Sequence, residues 1–168
     1  MKKLSALLAV VLSLCFSTGC FGIFGGDGDE SGTILGISSS SPANAYYQIF
    51  MTIASKGDVA FEMNGIKYLA LDLESVKFKE KTAVQTIFAN CCEQKGWTLV
   101  TEDVASLVQR AKQGDIYFPD GLILSFSDES FSNSSIVTDV FLWHPNGGAV
   151  ESKFAVSRSG RGWSAVSQ

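Results

Sequence analysis

The sequence predicts an α+β domain in which two amphipathic helices pack on a mixed, mostly antiparallel sheet. Two segments, 82–96 and 101–114, carry apolar residues at helical spacing, and both end with a lysine close to a glycine. The segments around them alternate apolar and polar residues between turn signals, as strands do. Strands and helices in that order are typical of an α+β fold.

The first segment of this domain, YYQIFMTIAS at 46–55, has two interpretations. Ser41 and Pro42 before it and Lys56 and Gly57 after it fit the start and stop of a helix. Its aromatic and β-branched content fits a strand, and on that ground we predict a strand. The run VAFEM follows at 59–63, and the pair Asn64-Gly65 then predicts a hairpin.

The second arm of that hairpin, IKYLALDLESVKF, reads as a central strand. Leu69, Leu71 and Leu73 share one face by the two-residue period of a strand, and Tyr68, Ala70 and Asp72 share the other. The leucine face is expected to be buried.

Two helices follow. Val84, Ile87, Phe88 and Cys91 repeat at helical spacing, with Cys92 at the edge of the stripe. After a short strand, WTLV, Thr101 is the predicted N-cap of the second helix, with Glu102 and Asp103 in its first turn. The apolar stripe of this helix consists of Val104, Leu107, Val108 and Ala111.

The rest of the chain predicts an antiparallel meander. Pro119-Asp120-Gly121 forms a turn before the strand GLILSFS. Strict alternation then marks strands at 136–143 and 150–156, reversed at 145–148 by Pro-Asn-Gly-Gly. A last arm is expected at 163–166.

The amino terminus predicts a signal peptide at residues 1–19. Lys2 and Lys3 precede the apolar run LSALLAVVLSLCF, and small residues lead to Cys20. A membrane-spanning helix needs about 20 apolar residues, and this run is shorter. Removal of residues 1–19 changes the formal charge from −4 to −6.

Cys20 is the predicted lipidation site. The stretch Ser17-Thr18-Gly19-Cys20 resembles the lipobox of bacterial lipoproteins, although that family prefers leucine where Ser17 stands. This resemblance implies a diacylated cysteine at the mature amino terminus, and Phe21 after it implies the outer membrane, periplasmic face. Ordinary secretory cleavage, which leaves Cys20 a free thiol, is the alternative.

Residues 20–45 predict a lipid-anchored, glycine- and serine-rich tether, so that a single α+β domain occupies residues 46–168. A flexible coil of that composition reaches roughly 25 Å. The mature chain is acidic and lacks a basic cluster, which disfavours nucleic acid as a partner. The membrane, through acylated Cys20, is the first expected partner.

Cys91 and Cys92 are neighbours, which limits what they can form. Adjacent Cα atoms lie about 3.8 Å apart, whereas a disulfide needs about 4.4–6.8 Å. A strained redox disulfide and a soft-metal site are the functional interpretations. We favour two buried thiols on a helix face, because no third soft ligand lies at metal-site spacing.

Residue patterns give no catalytic set, no cofactor and no metal site. His144, at a predicted hairpin tip, is expected to be an exposed turn residue. A catalytic or metal role needs converging groups, and the nearest carboxylate in the sequence, Asp139, lies on the preceding strand. Asp72 and Glu74 could form a carboxylate pair, but solvated edge residues are the commoner explanation. Gly25, Gly26 and Gly28 lack the Lys-Ser/Thr of a phosphate loop.

Three aromatic residues are candidates for binding a partner protein. Trp143, Phe154 and Trp163 lie on consecutive arms of the meander and could form an exposed patch. Burial in the core is the alternative, since aromatic side chains bury large areas.

The stretches LALDLESV, AVQTIFANCCEQKGWTLV, EDVASLVQRAKQG, GLILSFSD and IVTDVFLWHPNGGAVESKFAV, between residues 66 and 157, resemble one group of bacterial proteins. These are the curli-secretion lipoproteins, the amino-terminal domain of TolB and the outer-membrane lipoproteins that activate peptidoglycan synthases. The resemblance implies a non-enzymatic envelope module that binds or regulates another protein. No extra amphipathic hairpins for membrane insertion are visible, so a pore is not expected.

A function of a different class stays open at this point. A pocket between the helices and the sheet could hold a small ligand or hydrolyse one, with Cys91, Cys92 or His144 in the site. Rapid thiol labelling of the folded protein would favour this alternative.

Overall fold

The computed structural model describes residues 32–55, 65–160 and 162–168. These residues form three helices and two sheets. The helices are α1 (Ala43–Ser55), α2 (Lys81–Lys95) and α3 (Val104–Lys112). The strands are β1 (Thr33–Ile34), β2 (Ile37–Ser38), β3 (Tyr68–Asp72), β4 (Thr98–Val100), β5 (Gly121–Phe131), β6 (Ser135–His144), β7 (Gly148–Ser159) and β8 (Gly162–Ser167).

The main sheet has six strands in the order β4-β3-β5-β6-β7-β8. β3 pairs in parallel with β4 and with β5, and every other neighbouring pair is antiparallel. The predicted class, α+β with a mixed and mostly antiparallel sheet, is confirmed. The predicted arm VAFEM and the turn residue Asn64 lie outside the described residues.

Helix α1 corrects the prediction of a strand at 46–55. Tyr46, Ile49, Phe50 and Ile53 are all buried, and their spacing is that of one helix face. Aromatic and β-branched residues disfavour helices only weakly, so the burial of this face decides the conformation. Helices on the described chain therefore number three where two were predicted.

The folded structure also begins earlier than the predicted boundary at residue 46. β1 and β2 form a small hairpin, and Leu35 and Ile37 pack against the main core. Asn90 on α2 donates a hydrogen bond from Nδ2 to the carbonyl oxygen of Leu35 at 2.7 Å. These apolar and polar contacts attach residues 33–45 to the folded domain. The predicted tether, residues 20–45, therefore extends too far.

Helix α2 follows the prediction closely. Its buried residues are the predicted stripe with both cysteines, namely Val84, Ile87, Phe88, Cys91 and Cys92. Gly96 ends the helix in a left-handed conformation with φ of 69°. The amide of Trp97 bonds to the carbonyl of Cys92, and the amide of Gly96 bonds to that of Glu93, which is a Schellman motif.

The start of α3 differs from the prediction. The helix begins at Val104, and Asp103 precedes it in a left-handed conformation with φ of 53° and no side-chain cap hydrogen bond. Thr101 is therefore not the N-cap, and the acidic residues lie before the first turn. The predicted apolar stripe is otherwise confirmed, because Val104, Val108 and Ala111 are buried.

Two apolar clusters lie on opposite faces of the sheet. The larger one joins α1 and α2 to residues such as Leu69, Leu71 and Phe126. The smaller one joins α3 to Ala70, Ile123 and other residues of the opposite face. This confirms the predicted two-face pattern of β3 and places that strand between helical layers.

Candidate functional site

One part of the main sheet is left uncovered. α3 packs mainly on β3 and β5, and its cluster extends to Phe141 on β6. Residues that pair across adjacent strands share a face, so this uncovered part continues from β6 through β7 to β8. We call it the open face, and it consists of Val137, Asp139, Glu151, Lys153, Ala155 and Val166.

The open face carries charges of both signs in a shallow groove. A groove of about 430 Å³ is lined by Lys112, Asp139, Glu151 and Lys153 together with serines of β5. Lys153 lies 2.7 Å from Glu129 and 3.8 Å from Asp139, as measured between ammonium nitrogen and carboxylate oxygen. The open face is therefore polar at its centre, next to the smaller apolar cluster.

The ion pairs of this groove are exposed to water. The hydrogen bond from Lys153 lowers the pKa of Glu129, and the same bond raises the pKa of Lys153. Lys112 lies 3.3 Å from Glu151, with more than half of each side chain exposed. Exposed pairs contribute little to folding, because solvent screens them and the side chains lose entropy. These charges are consequently accessible to another molecule.

A second concavity lies at the carboxyl ends of the parallel strands. It has a volume of about 410 Å³ and is bounded by the end of β3 and the first residues of α2 and α3. Because β4 and β5 flank β3 and are reached by crossovers in opposite directions, this is a topological switch point. Ligands of open α/β sheets commonly bind at such a position. We call this concavity the crevice.

Asp72 lies at the crevice, but its carboxylate is already engaged. Oδ1 accepts a hydrogen bond from the amide of Glu74 at 2.9 Å, and Oδ2 accepts one from Oγ of Ser125 at 2.8 Å. Asp72 is thus a half-buried residue of an interior strand, not a solvated edge residue as predicted. Glu74 lies beyond the strand and is exposed, so the two carboxylates do not act as a pair.

Asp128 is a buried carboxylate that the sequence analysis did not single out. Its exposed fraction is 7%. Oδ2 accepts hydrogen bonds from the hydroxyl of Tyr46 at 2.6 Å and from the amide of Lys77 at 2.8 Å, while Oδ1 has no partner among the described residues. Burial, followed by the bond to Asp128, raises the pKa of Tyr46 far above its ordinary value. Asp128 thereby links α1, β5 and the loop before α2.

Cys91 and Cys92 are free thiols, and both are buried in the larger cluster. Burial raises the pKa of Cys91, and it raises the pKa of Cys92 to about 12. A thiol with a raised pKa is a poor nucleophile at neutral pH. The prediction of two buried thiols on a helix face is confirmed. No group of three His, Cys, Asp or Glu residues within the described ranges could hold a metal ion.

His144 is buried, which corrects its prediction as an exposed turn residue. It is the last residue of β6, its exposed fraction is 4%, and Nδ1 accepts a hydrogen bond from the amide of Asn146 at 3.0 Å. The alternation of β6 places His144 on the same face as Val140 and Leu142, so the sheet carries it inward. It lines neither the groove nor the crevice.

The three aromatic candidates do not form one exposed patch. Phe154 and Trp163 are buried in the larger cluster, with exposed fractions of 2% and 7%. Trp143 is half-buried on the opposite face, where it packs against the cluster of α3. Alternate residues of a strand point to opposite faces of the sheet. Trp143 points to the face that α3 covers, whereas Phe154 and Trp163 point to the face of the larger cluster.

Cys20, the predicted lipidation site, lies outside the described residues, and so do the rest of residues 1–31, with the predicted signal peptide and the glycines at 25, 26 and 28. Among the helices that the structure describes, none is both long and apolar enough to cross a bilayer. Comparisons with protein-family models, curated proteins and solved structures found no match to this chain.

Proposed function

We propose that this chain is a lipid-anchored protein of the bacterial cell envelope whose folded domain binds or regulates another envelope protein through the open face. The observation that carries the proposal is the uncovered half of the sheet, where charged side chains stand exposed beside an apolar cluster. The lipobox-like residues before Cys20 support the location, on the periplasmic face of the outer membrane.

The open face favours protein binding because of its composition. Aromatic residues are enriched in protein interfaces, and complementary charges contribute to the rate and specificity of association. Here Phe141 and Trp143 adjoin the groove, and Lys112 lies 5.1 Å from the ring centre of Phe141. The groove thus carries exposed charges beside the half-buried ring of Trp143, whereas Phe141 lies buried under Lys112.

Charge on the open face and at its border with α3 and β5 indicates the chemistry of the partner. Glu129, Asp139 and Glu151 supply three carboxylates, and Lys112 and Lys153 supply two ammonium groups. The excess of carboxylate selects a partner surface that is rich in Arg and Lys, with an acidic position to meet the lysines. Such complementarity acts on association rate and specificity, and it weakens as salt rises.

The proposed lipid anchor at Cys20 is tested separately from the binding surface. Two or three acyl chains hold a protein on a bilayer, since each buried CH₂ contributes about 0.8 kcal/mol. Mass spectrometry of the mature amino terminus should find a lipid-modified cysteine at position 20, and Cys20→Ser should release the protein from the membrane fraction. A wild-type terminus at another residue, or one without added lipid mass, would refute the anchor.

Charge reversal on the open face tests the binding claim. We expect Asp139→Lys with Glu151→Lys to abolish capture of the partner from crosslinked cell envelopes. The matched control is Glu93→Lys, which reverses an exposed charge on α2, on the opposite side of the sheet. Equal capture by both variants, with folding intact, would remove the open face from the proposal.

The crevice supports a second candidate function, the binding of a small periplasmic ligand. Its position at the carboxyl ends of β3 and β4 is the observation in favour. Asp103 and Thr101 border it, whereas Cys91, Cys92 and His144 do not. Titration with a periplasmic small-molecule extract should then shift the amide resonances of Thr101 and Asp103, and unchanged resonances would exclude this candidate.

A further inference from the structure

Strand β8 is the outer strand of the main sheet. It pairs with β7, and within the described ranges no other strand pairs with it. The amide of Gln168 donates to the carbonyl of Lys153 at 2.9 Å. Because hydrogen-bonded positions alternate along an antiparallel pair, the residues that bond to β7 are Gly162, Ser164, Val166 and Gln168. The amides and carbonyls of Trp163, Ala165 and Ser167 therefore point away from the sheet.

This edge lacks the usual protection against further pairing. Natural edge strands carry charged residues, proline or bulges that prevent another strand from adding. The sequence of β8, GWSAVS, contains neither charge nor proline, and its register with β7 is continuous. Val166 has an exposed fraction of 61%, although it is a β-branched apolar residue. The opposite edge, β4, is only three residues long.

The helix that packs on β8 is also uncharged. α1 contacts β8, and its sequence, ANAYYQIFMTIAS, has no acidic or basic residue. Among its residues only the last, Ser55, is exposed. Surface helices normally show charged residues on their outer side. Strand β8 and its covering helix thus form an uncharged margin on an otherwise charged protein.

We propose that this margin is where a second copy of the chain binds, by antiparallel pairing of β8 with its own counterpart. In a two-fold arrangement centred on Ala165, that residue lies opposite itself and Trp163 lies opposite Ser167 of the other copy. All three outward-facing positions then exchange amide and carbonyl hydrogen bonds across the interface. The two six-stranded sheets become one continuous sheet.

The absence of charge favours a second copy as the occupant over a different protein. In a two-fold strand pair each side chain lies close to a copy of itself or of its near neighbours. A charged residue would therefore lie near the same charge on the other copy, which is destabilising. β8 presents serine, alanine and valine instead. The exposed side chain of Val166 would lie opposite Ser164 and diagonal to its own copy, within reach of an apolar contact.

Sedimentation of the full mature chain in density-matched detergent tests this dimer. The wild type should sediment as a dimer that dissociates on dilution. Val166→Lys should lower the average mass about twofold, because two lysines then approach each other across the axis. Ser157→Lys is the matched control, since it adds the same charge at an exposed position of β7 that pairs with Ser164. A monomeric wild type, or identical behaviour of the two variants, would overturn the proposal.

Hydrogen exchange identifies what covers the edge. The amides of Trp163, Ala165 and Ser167 should exchange slowly in the dimer and rapidly after dilution or in Val166→Lys. Slow exchange at every concentration in a monomer would mean that another segment of the same chain covers β8, and the proposal would fall. Asp139→Lys with Glu151→Lys should leave the dimer intact, so failure of the dimer and failure of partner binding are distinguishable.

Discussion

The two faces of the main sheet differ in what covers them. One face, which we call the covered face, packs against α1 and α2. It is filled with aromatic and aliphatic side chains, among them Phe126 and Phe154. The other is covered by the short helix α3 at one end, and the rest of it is occupied by ion pairs and serines. Apolar burial is the main driving force for folding, so the first face supplies most of the stability and the second contains the proposed binding surface.

A substitution in the covered face should have the largest effect on folding. Phe126 is fully buried and stacks edge-on against Tyr46 at 5.2 Å between ring centres. Phe126→Ala should lower the free energy of unfolding by about 3–5 kcal/mol, as measured by urea denaturation. The adjacent variant Ser127→Ala, which points to the other face, should stay within about 0.5 kcal/mol of wild type. Equal losses would contradict the contrast between the faces.

The polar contact inside the covered face should rank second. Tyr46→Phe removes the hydroxyl that donates to Oδ2 of Asp128 and leaves the amide of Lys77 as the donor to that buried carboxylate. The expected loss of unfolding free energy is about 2 kcal/mol, typical of a hydrogen bond to a charged group. Tyr117→Phe, at a side chain that is 86% exposed, is the control and should change nothing. A neutral Tyr46→Phe would mean that Asp128 is held by the backbone alone.

The third-largest effect should be a loss of unfolding free energy at alkaline pH, caused by the buried thiol of Cys92. The pKa of Cys92 is about 12 in the folded chain, against 9.0 for an ordinary thiol. Above pH 9 the unfolded chain releases this proton and the folded chain retains it, so stability falls from pH 9 towards pH 12. Between pH 8 and pH 10 the loss in wild type should exceed that in Cys92→Ala by about 1 kcal/mol. Identical pH profiles would indicate that the thiol is solvated.

The open face should tolerate substitution with the smallest effect on folding. Glu151→Ala breaks the exposed pair with Lys112, and the free energy of unfolding should change by less than about 0.5 kcal/mol. Binding of the partner should weaken nonetheless, and more strongly at low salt. A large loss of stability would show that the groove is part of the structural core.

Much of the covered face could be predicted from the sequence. The leucines of β3 and the stripe of α2 follow strict periods, and these periods depend only on which face meets the core. The strand predicted at 46–55 is wrong, because aromatic and β-branched content is a weaker signal than the helical spacing of Tyr46, Ile49, Phe50 and Ile53. In this segment the period was the better signal.

The candidate site was harder to predict, because exposure depends on neighbours that the sequence does not reveal. His144 looked exposed at a hairpin tip, but the sheet turns it inward. Asp128 carried one usable signal, since it shares its strand face with Leu124 and Phe126 and so should be buried. Nothing in the sequence indicated that α3 would leave half of its sheet face bare.

Site-specific photocrosslinking in living cells tests the central claim most directly. A photoreactive amino acid at position 139 on the open face, and in a second strain at position 93 on α2, reports what touches each side of the sheet. The account predicts one discrete adduct with a single envelope protein from position 139 and none from position 93. Adducts of the same protein from position 93 alone would contradict the assignment of the open face as the binding surface.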